Sequence, residues 1–163
     1  MSKVITPADH RVRSEESGLS GDSMLLRSIL KKVGEHVSEP VSLGWKRQLY
    51  DQAMEIGGEC SAAGWDGYGA AAIPQESVVK AMHLVRQLPD SIKPPFLVPS
   101  PGGYISFEWH DSEKRVLSVS PKNGLLVWAS ILGVDDTHYG RSPSRKGWPQ
   151  AVLDILKDHF ANA

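Results

Sequence analysis

The chain has one cysteine. Cys60 therefore has no partner for an intrachain disulfide, and no cysteine zinc cluster can form. This usage suits a reducing cytoplasm. Long apolar runs are also missing: no stretch approaches the roughly 18 residues of a membrane span. The opening segment, MSKVITPADHRVRSEESGLSGDS, lacks the apolar core of a secretory signal. A cytosolic protein with no membrane partner is expected. Charge of one sign is not in excess either. Eighteen Lys and Arg balance nineteen Asp and Glu, for a formal charge of -1, so any contact with nucleic acid or an acidic membrane must be local. No H-E-x-x-H, G-x-S-x-G or G-x-x-x-x-G-K-[ST] pattern occurs. What remains is 163 residues with 40% apolar and 23% charged side chains, enough for one domain with a real core and unlike a wholly disordered chain.

Residues 1–22 read as a flexible, solvated N-terminal arm, broken by Gly18 and Gly21, and residues 23–163 as a single domain. Asp22 or Ser23 is suited to cap a first helix, in which Leu25, Leu26, Ile29, Leu30, Val33 and Val37 recur at helical spacing. A second helix is predicted from about Leu43 to Cys60, with Trp45, Leu49, Ala53, Ile56 and Cys60 on one face and Gly57 and Gly58 weakening its last turn. A third begins at Pro74, carries Val78, Val79, Met82, Val85 and Leu88 as its buried stripe, and ends at Leu88-Pro89. The proline-rich connector that follows allows at most a short edge strand at Phe96 to Val98. In GYISFEWH, Ile105, Phe107 and Trp109 alternate with Tyr104, Ser106, Glu108 and His110, as a half-buried strand does. RVLSVS and LLVWASIL supply two more strands, and Asn123-Gly124 marks a tight hairpin between them. The polar segment DDTHYGRSPSRKG reads as a loop leading to a last helix from about Pro149, with Val152, Leu153, Leu156 and Phe160 on its apolar face. The expected fold is α+β: N-terminal helices, a three- or four-stranded antiparallel meander and a C-terminal helix.

GWDGYGAAAIP, residues 64 to 74, is the least ordinary stretch. Gly64, Gly67 and Gly69 permit sharp bends around Trp65, Asp66 and Tyr68. Glycines ahead of a helix N-terminus can cradle an anion, and Gly67, Gly69 and Ala72 fit G-x-G-x-x-A. That dinucleotide pattern needs a preceding strand, however, and here a helix precedes it. The plainer expectation is a tight turn in which Trp65 and Tyr68 plug the space between the second and third helices while Asp66 accepts its own backbone N–H groups. A rigid aromatic loop of this kind is also a good binding surface.

The loop, the proline-started helix ending LVRQLP, and PFLVPSPGGYISFEW together resemble a recurring group of uncharacterised bacterial proteins. Their shared pattern is a W-D/N-G-x-G-A loop, a proline-started helix and a G-x-I-x-x-E-W strand. The resemblance spans about residues 64 to 128 and marks Trp65, Asp66, Gly67, Gly69, Ala70, Pro74, Gly103, Ile105, Glu108 and Trp109. This chain departs from the commonest form at Tyr68, where an acid is frequent, and by an alanine inserted before Ile73-Pro74. The resemblance brings no defined activity. It implies an accessory role in a mobile-element, phage-defence or toxin-antitoxin setting.

Other residues carry rival expectations. Glu108 and His110 share a strand face near Asp111, and with Asp66 they would serve a small metal-dependent hydrolase or nuclease; the plain alternative is the wet face of a half-covered sheet. Arg141, Arg145 and Lys146, with Tyr139 and Trp148 nearby, would suit phosphates and bases, against the plainer solvated loop. His83 reads as a packing or boundary residue, Cys60 as a small buried hydrophobe, and Met54 and Met82 as core. The leading expectation is a non-catalytic protein without cofactor or metal. It would bind another protein through Trp65, Asp66, Gly67, Tyr68, Gly69, Glu108, Trp109 and His110, that is, through the loop and the neighbouring sheet edge.

Overall fold

The computed structural model describes residues 44–162. The expected arm over residues 1–22 and the helix from Asp22 or Ser23 to Val37 lie outside the described residues. Helix α1 (Gly44–Glu59) buries Leu49, Ala53 and Ile56 of the predicted face, with Cys60 just beyond; Tyr50, not expected there, is buried too, and Trp45 is only partly buried. Gly57 does more than weaken the last turn. A Cβ there would lie 2.6 Å from Val78 Cγ2, so its bareness is what lets helix α2 (Gln75–Gln87) pack closely. Helix α2 buries Val78, Ala81, Met82, Leu84 and Val85 and ends ahead of Leu88-Pro89, as expected. Two residues read as core or boundary differ: Met54 is 40% exposed, and His83 lies on the exposed side of α2.

The sheet has five strands rather than three or four. In spatial order these are β1 (Phe96–Ser100), β2 (Tyr104–Ser112), β3 (Arg115–Lys122), β4 (Leu125–Gly133) and β5 (Asp136–Pro143), and every neighbouring pair is antiparallel. The Asn123-Gly124 hairpin has φ of 51° and 75°, the double left-handed turn that such a dipeptide favours. The extra strand is β5, drawn from the segment read as a loop. Its side chains show no apolar alternation, so it had no sequence signal of its own. Asp135, at φ 64°, turns the chain back, and pairing along β4 makes it a strand. A 3₁₀ turn (Ser144–Lys146) and helix α3 (Gln150–His159) follow.

One sheet face is core. Leu97, Ile105, Phe107, Trp109, Leu117, Val119 and Leu126 are all at most 4% exposed. Trp148 packs edge-on against Phe107 and Trp109, with centroids 5.3 and 6.0 Å away. Its Nε1 donates to Leu84 O, in the last turn of α2, at 2.9 Å. The C-terminus is pinned by an Ile92–Ala161 bridge and by Asn162 Nδ2 donating to Ile92 O at 2.9 Å. The opposite sheet face carries Phe96, Tyr104, Ser106, Glu108, His110, Val116, Val127, Ala129, Ile131 and Tyr139, and much of it is exposed.

The ladder phase follows from its prolines. Pro143 and Pro121 lack N–H groups, so their pairings with Leu125 and Leu126 are the non-hydrogen-bonded kind. Counting across the sheet, Leu97 and Pro99 point their backbone groups away from β2. Pro99 has no donor there, and Gln52 Nε2 of α1 reaches Leu97 O at 3.5 Å. The β1 edge is thus blunted by a proline and a helix.

Candidate functional site

The glycine loop is a closed clasp. Asp66 Oδ1 accepts the N–H groups of Tyr68 at 2.8 Å and Ala70 at 3.0 Å, as expected of an aspartate in its own turn. Those two backbone bonds, Ala70 first, hold the Asp66 carboxyl below its ordinary pKa. Gly64 N–H donates to Ala70 O at 2.7 Å, Gly67 N–H to Gly64 O at 2.9 Å, and Trp65 Nε1 to Ala71 O at 2.9 Å. Both ends of the clasp are tied to neighbours. Ile73 N–H donates to Cys60 O at 2.8 Å, and Ala71 N–H donates to Pro101 O at 2.8 Å in the β1–β2 turn. Gly103 in that turn sits at φ 82°, and a Cβ there would be 2.9 Å from Ala72 O. Ser77 Oγ donates to Gly103 O at 2.9 Å, so α2, loop and turn form one joint.

The aromatic rings do not plug the space between helices. Trp65 is half-buried, with its ring nitrogen spent on the loop itself, and Tyr68 is 95% exposed at the tip. The loop residues that are buried are instead Ala70 and Ile73, at 3% and 2% exposed.

The other expected site residues divide between core and surface. Trp109 is 1% exposed, and its Nε1 donates to Lys93 O at 2.8 Å; it is a core residue and no contact surface. Alternation puts Trp109 on the opposite face from Glu108 and His110, so the three do not form one patch. Glu108 Oε2 lies 3.0 Å from His110 Nε2 on the outer face, where Phe96 approaches the His110 ring at 6.1 Å. The loop meets the sheet at Pro101 and Gly103, whereas Glu108 lies four residues beyond Tyr104, about 13 Å further along β2. Asp66 Oδ1 is engaged by two backbone donors, and among the described residues no three His, Cys, Asp or Glu side chains gather where they could hold a metal ion. Asp111 instead takes Lys93 Nζ at 2.7 Å and Arg115 Nη1 at 2.9 Å, and the Lys93 bond and charge, with help from Arg115, lower its pKa.

Arg141 lies on β5, and Arg145 and Lys146 lie on the 3₁₀ turn, all three exposed. Trp148, expected beside them as a stacking ring, is 8% exposed and belongs to the core. Cys60 is 5% exposed, and its thiol pKa is raised, by burial first and then by Glu59. Sequence reasoning missed exposed Val127 (39%) and Ile131 (45%), which share the outer face with Tyr139 (85%), the ring it had placed beside the basic residues. The only available signal was the period-2 pattern of LLVWASIL, which defines two faces without saying which is covered. No helix among the described residues is long and apolar enough to cross a membrane. No protein-family model matches the chain, and no curated protein or solved structure does either.

Proposed function

We propose that the chain is a non-catalytic protein-interaction module that engages a protein partner through the tip of the 64–74 loop and the β1–β2 corner beside it. One observation carries this reading: Tyr68 stands 95% exposed on a loop whose backbone is clasped from inside by Asp66 and Trp65. An exposed ring on a rigid frame loses little entropy on contact and buries a large area, which is the profile of an interface anchor. The resemblance to small bacterial proteins with a W-D/N-G-x-G-A loop extends the proposal to a mobile-element, phage-defence or toxin-antitoxin setting. For the Asp66, Glu108 and His110 hydrolase, no geometric observation offers comparable support.

The test is a photo-crosslinking residue placed at Tyr68, with the same residue at exposed Glu113 as control, in the cells that make the protein. A discrete adduct from position 68, absent from position 113, is expected. Tyr68→Ala should then weaken the purified pair by roughly 10- to 30-fold, the range of an aromatic hot spot. Identical adduct patterns at both positions, or an affinity indifferent to Tyr68, would remove the loop from the interface.

A further inference from the structure

The two edges of the sheet are not alike. The β1 edge is blunted by Pro99 and by Gln52. On the β5 edge the only proline, Pro143, stands at the very end of the strand, and among the described residues no helix side chain reaches the backbone of Thr137, Tyr139 or Arg141. Its phase is fixed by Pro143, which has no N–H to give Leu125, and by Ser144 N–H donating to Gly124 O at 2.8 Å. His138, Gly140 and Ser142 therefore bond to β4, and Thr137, Tyr139 and Arg141 point both N–H and C=O outward. Among the described residues, none of those three takes part in a backbone bond beyond the β4 ladder, and all three are exposed. A run of three unpaired donor–acceptor residues that ends at a proline is a template for another strand.

We infer that β5 pairs edge to edge with β5 of a second copy of this chain, antiparallel, about a two-fold axis through Tyr139. The register follows from the chemistry. Residues opposite one another must share a sheet face, so the axis passes through a residue and not between two. Centred on Tyr139, Thr137 meets Arg141 of the second copy and Tyr139 meets its own counterpart, so every outward N–H and C=O of the three residues is used. Centred on Gly140, Thr137 would meet the proline at 143, which has no N–H, and its carbonyl would stay unpaired.

Charge favours the same partner. Strand β5 is entered through Asp135 and Asp136 and left through Arg141, with Arg145 and Lys146 just beyond. Antiparallel pairing sets the acidic end of each copy against the basic end of the other, twice by symmetry. An axis perpendicular to the sheet also leaves both outer faces on one side. The exposed Val127, Ile131 and Tyr139 of the two copies then share one face, with the two Tyr139 rings at its centre and Arg141 and Thr137 of the seam between the flanking Val127 and Ile131. A strand-to-strand seam is small beside the roughly 1,000 Å² of a robust interface, so the dimer should form at tens of micromolar and not at nanomolar concentration.

Sedimentation velocity of the full chain from about 5 to 300 µM should show a one-chain species passing to a two-chain species. Tyr139→Pro removes an outward N–H and no β4 bond, so it should abolish the dimer while leaving circular dichroism and melting unchanged. Cysteine placement reads the register independently. Opposed Cα atoms on the axis are about 5.5 Å apart, within disulfide reach, so Tyr139→Cys should cross-link to itself on mild oxidation. Thr137→Cys and Arg141→Cys should each stay single alone and cross-link when mixed, and buried Cys60 should not interfere. The inference is overturned by a wild type that stays monomeric throughout, or by Thr137→Cys cross-linking to itself. It is equally overturned by a dimer indifferent to Tyr139→Pro, or by a monomer whose β5 edge instead captures extended peptides of unrelated sequence.

Discussion

Replacing Gly103 with alanine asks whether the exposed loop is fastened to the sheet or merely lies near it. Gly103 sits at φ 82°, a left-handed conformation that costs a residue bearing a Cβ about 1–2 kcal/mol. The added carbon would also lie 2.9 Å from Ala72 O and 3.5 Å from Ala71 Cβ, and the first of these is backbone that cannot swing away. Overpacking of this kind costs a further ~1–2 kcal/mol, bringing the expected loss to roughly 2–4 kcal/mol. Gly69→Ala is the matched control. Its φ of 92° imposes the same conformational cost, but nothing lies within 4 Å of its new Cβ, so its loss should stop at about 1–2 kcal/mol. Urea unfolding followed by tryptophan fluorescence measures both. Amide exchange localises the effect: Ala71 N–H, which donates to Pro101 O, should exchange faster in Gly103→Ala through local opening, independent of denaturant, while the amides of Leu117 and Val119 in mid-sheet should speed up only by the global loss that urea unfolding reads. Equal losses in the two variants, or an Ala71 amide unaffected by Gly103→Ala, would show that the joint between loop and β1–β2 turn bears no load. The rigid presentation of Tyr68 would then have no physical basis.

Other expectations follow from single contacts. Trp109→Phe leaves Lys93 O without its donor and opens space in the core, so it should lose roughly 2–4 kcal/mol in the same urea assay. Ser130 is 2% exposed, and its hydroxyl has no hydrogen-bond partner among the described residues, so Ser130→Ala should be neutral or stabilising by up to about 2 kcal/mol. Asp66 and Asp111 have folded pKa values below their unfolded ones, so their stabilisation is complete above the ordinary carboxylate range and is lost as pH falls through the folded values. Melting temperature should therefore drop in acid, and the drop should flatten in the Asp66→Asn, Asp111→Asn double variant. Burial and a raised thiol pKa should make Cys60 react with a thiol reagent far more slowly in the native protein than in urea; equal rates would contradict its place in the core.

Much of the framework was legible because it rests on local periodicity. The stripe of Leu49, Ala53 and Ile56, the stripe of Val78, Met82 and Val85, the alternation through Ile105, Phe107 and Trp109, and the Asn123-Gly124 hairpin all appear where spacing and turn chemistry place them. Asp66 closing its own turn was legible for the same reason, since that bond spans only two to four residues.

What periodicity does not carry is which surface becomes covered. Strand β5 has no apolar alternation and exists because β4 offers it a ladder, so a segment that reads as loop becomes an edge with Tyr139 in solvent. Trp109 and Trp148, equally plausible as contact residues by composition, are drawn into the core by each other and by the carbonyls of Lys93 and Leu84. Tyr68 is sent outward by a loop that closes beneath it. The amino-acid order alone determined where helices, turns and two-faced strands could form, because those depend on neighbours a few residues away. The tertiary structure alone decided which of the aromatic rings meet water, because that depends on which distant elements arrive to cover them.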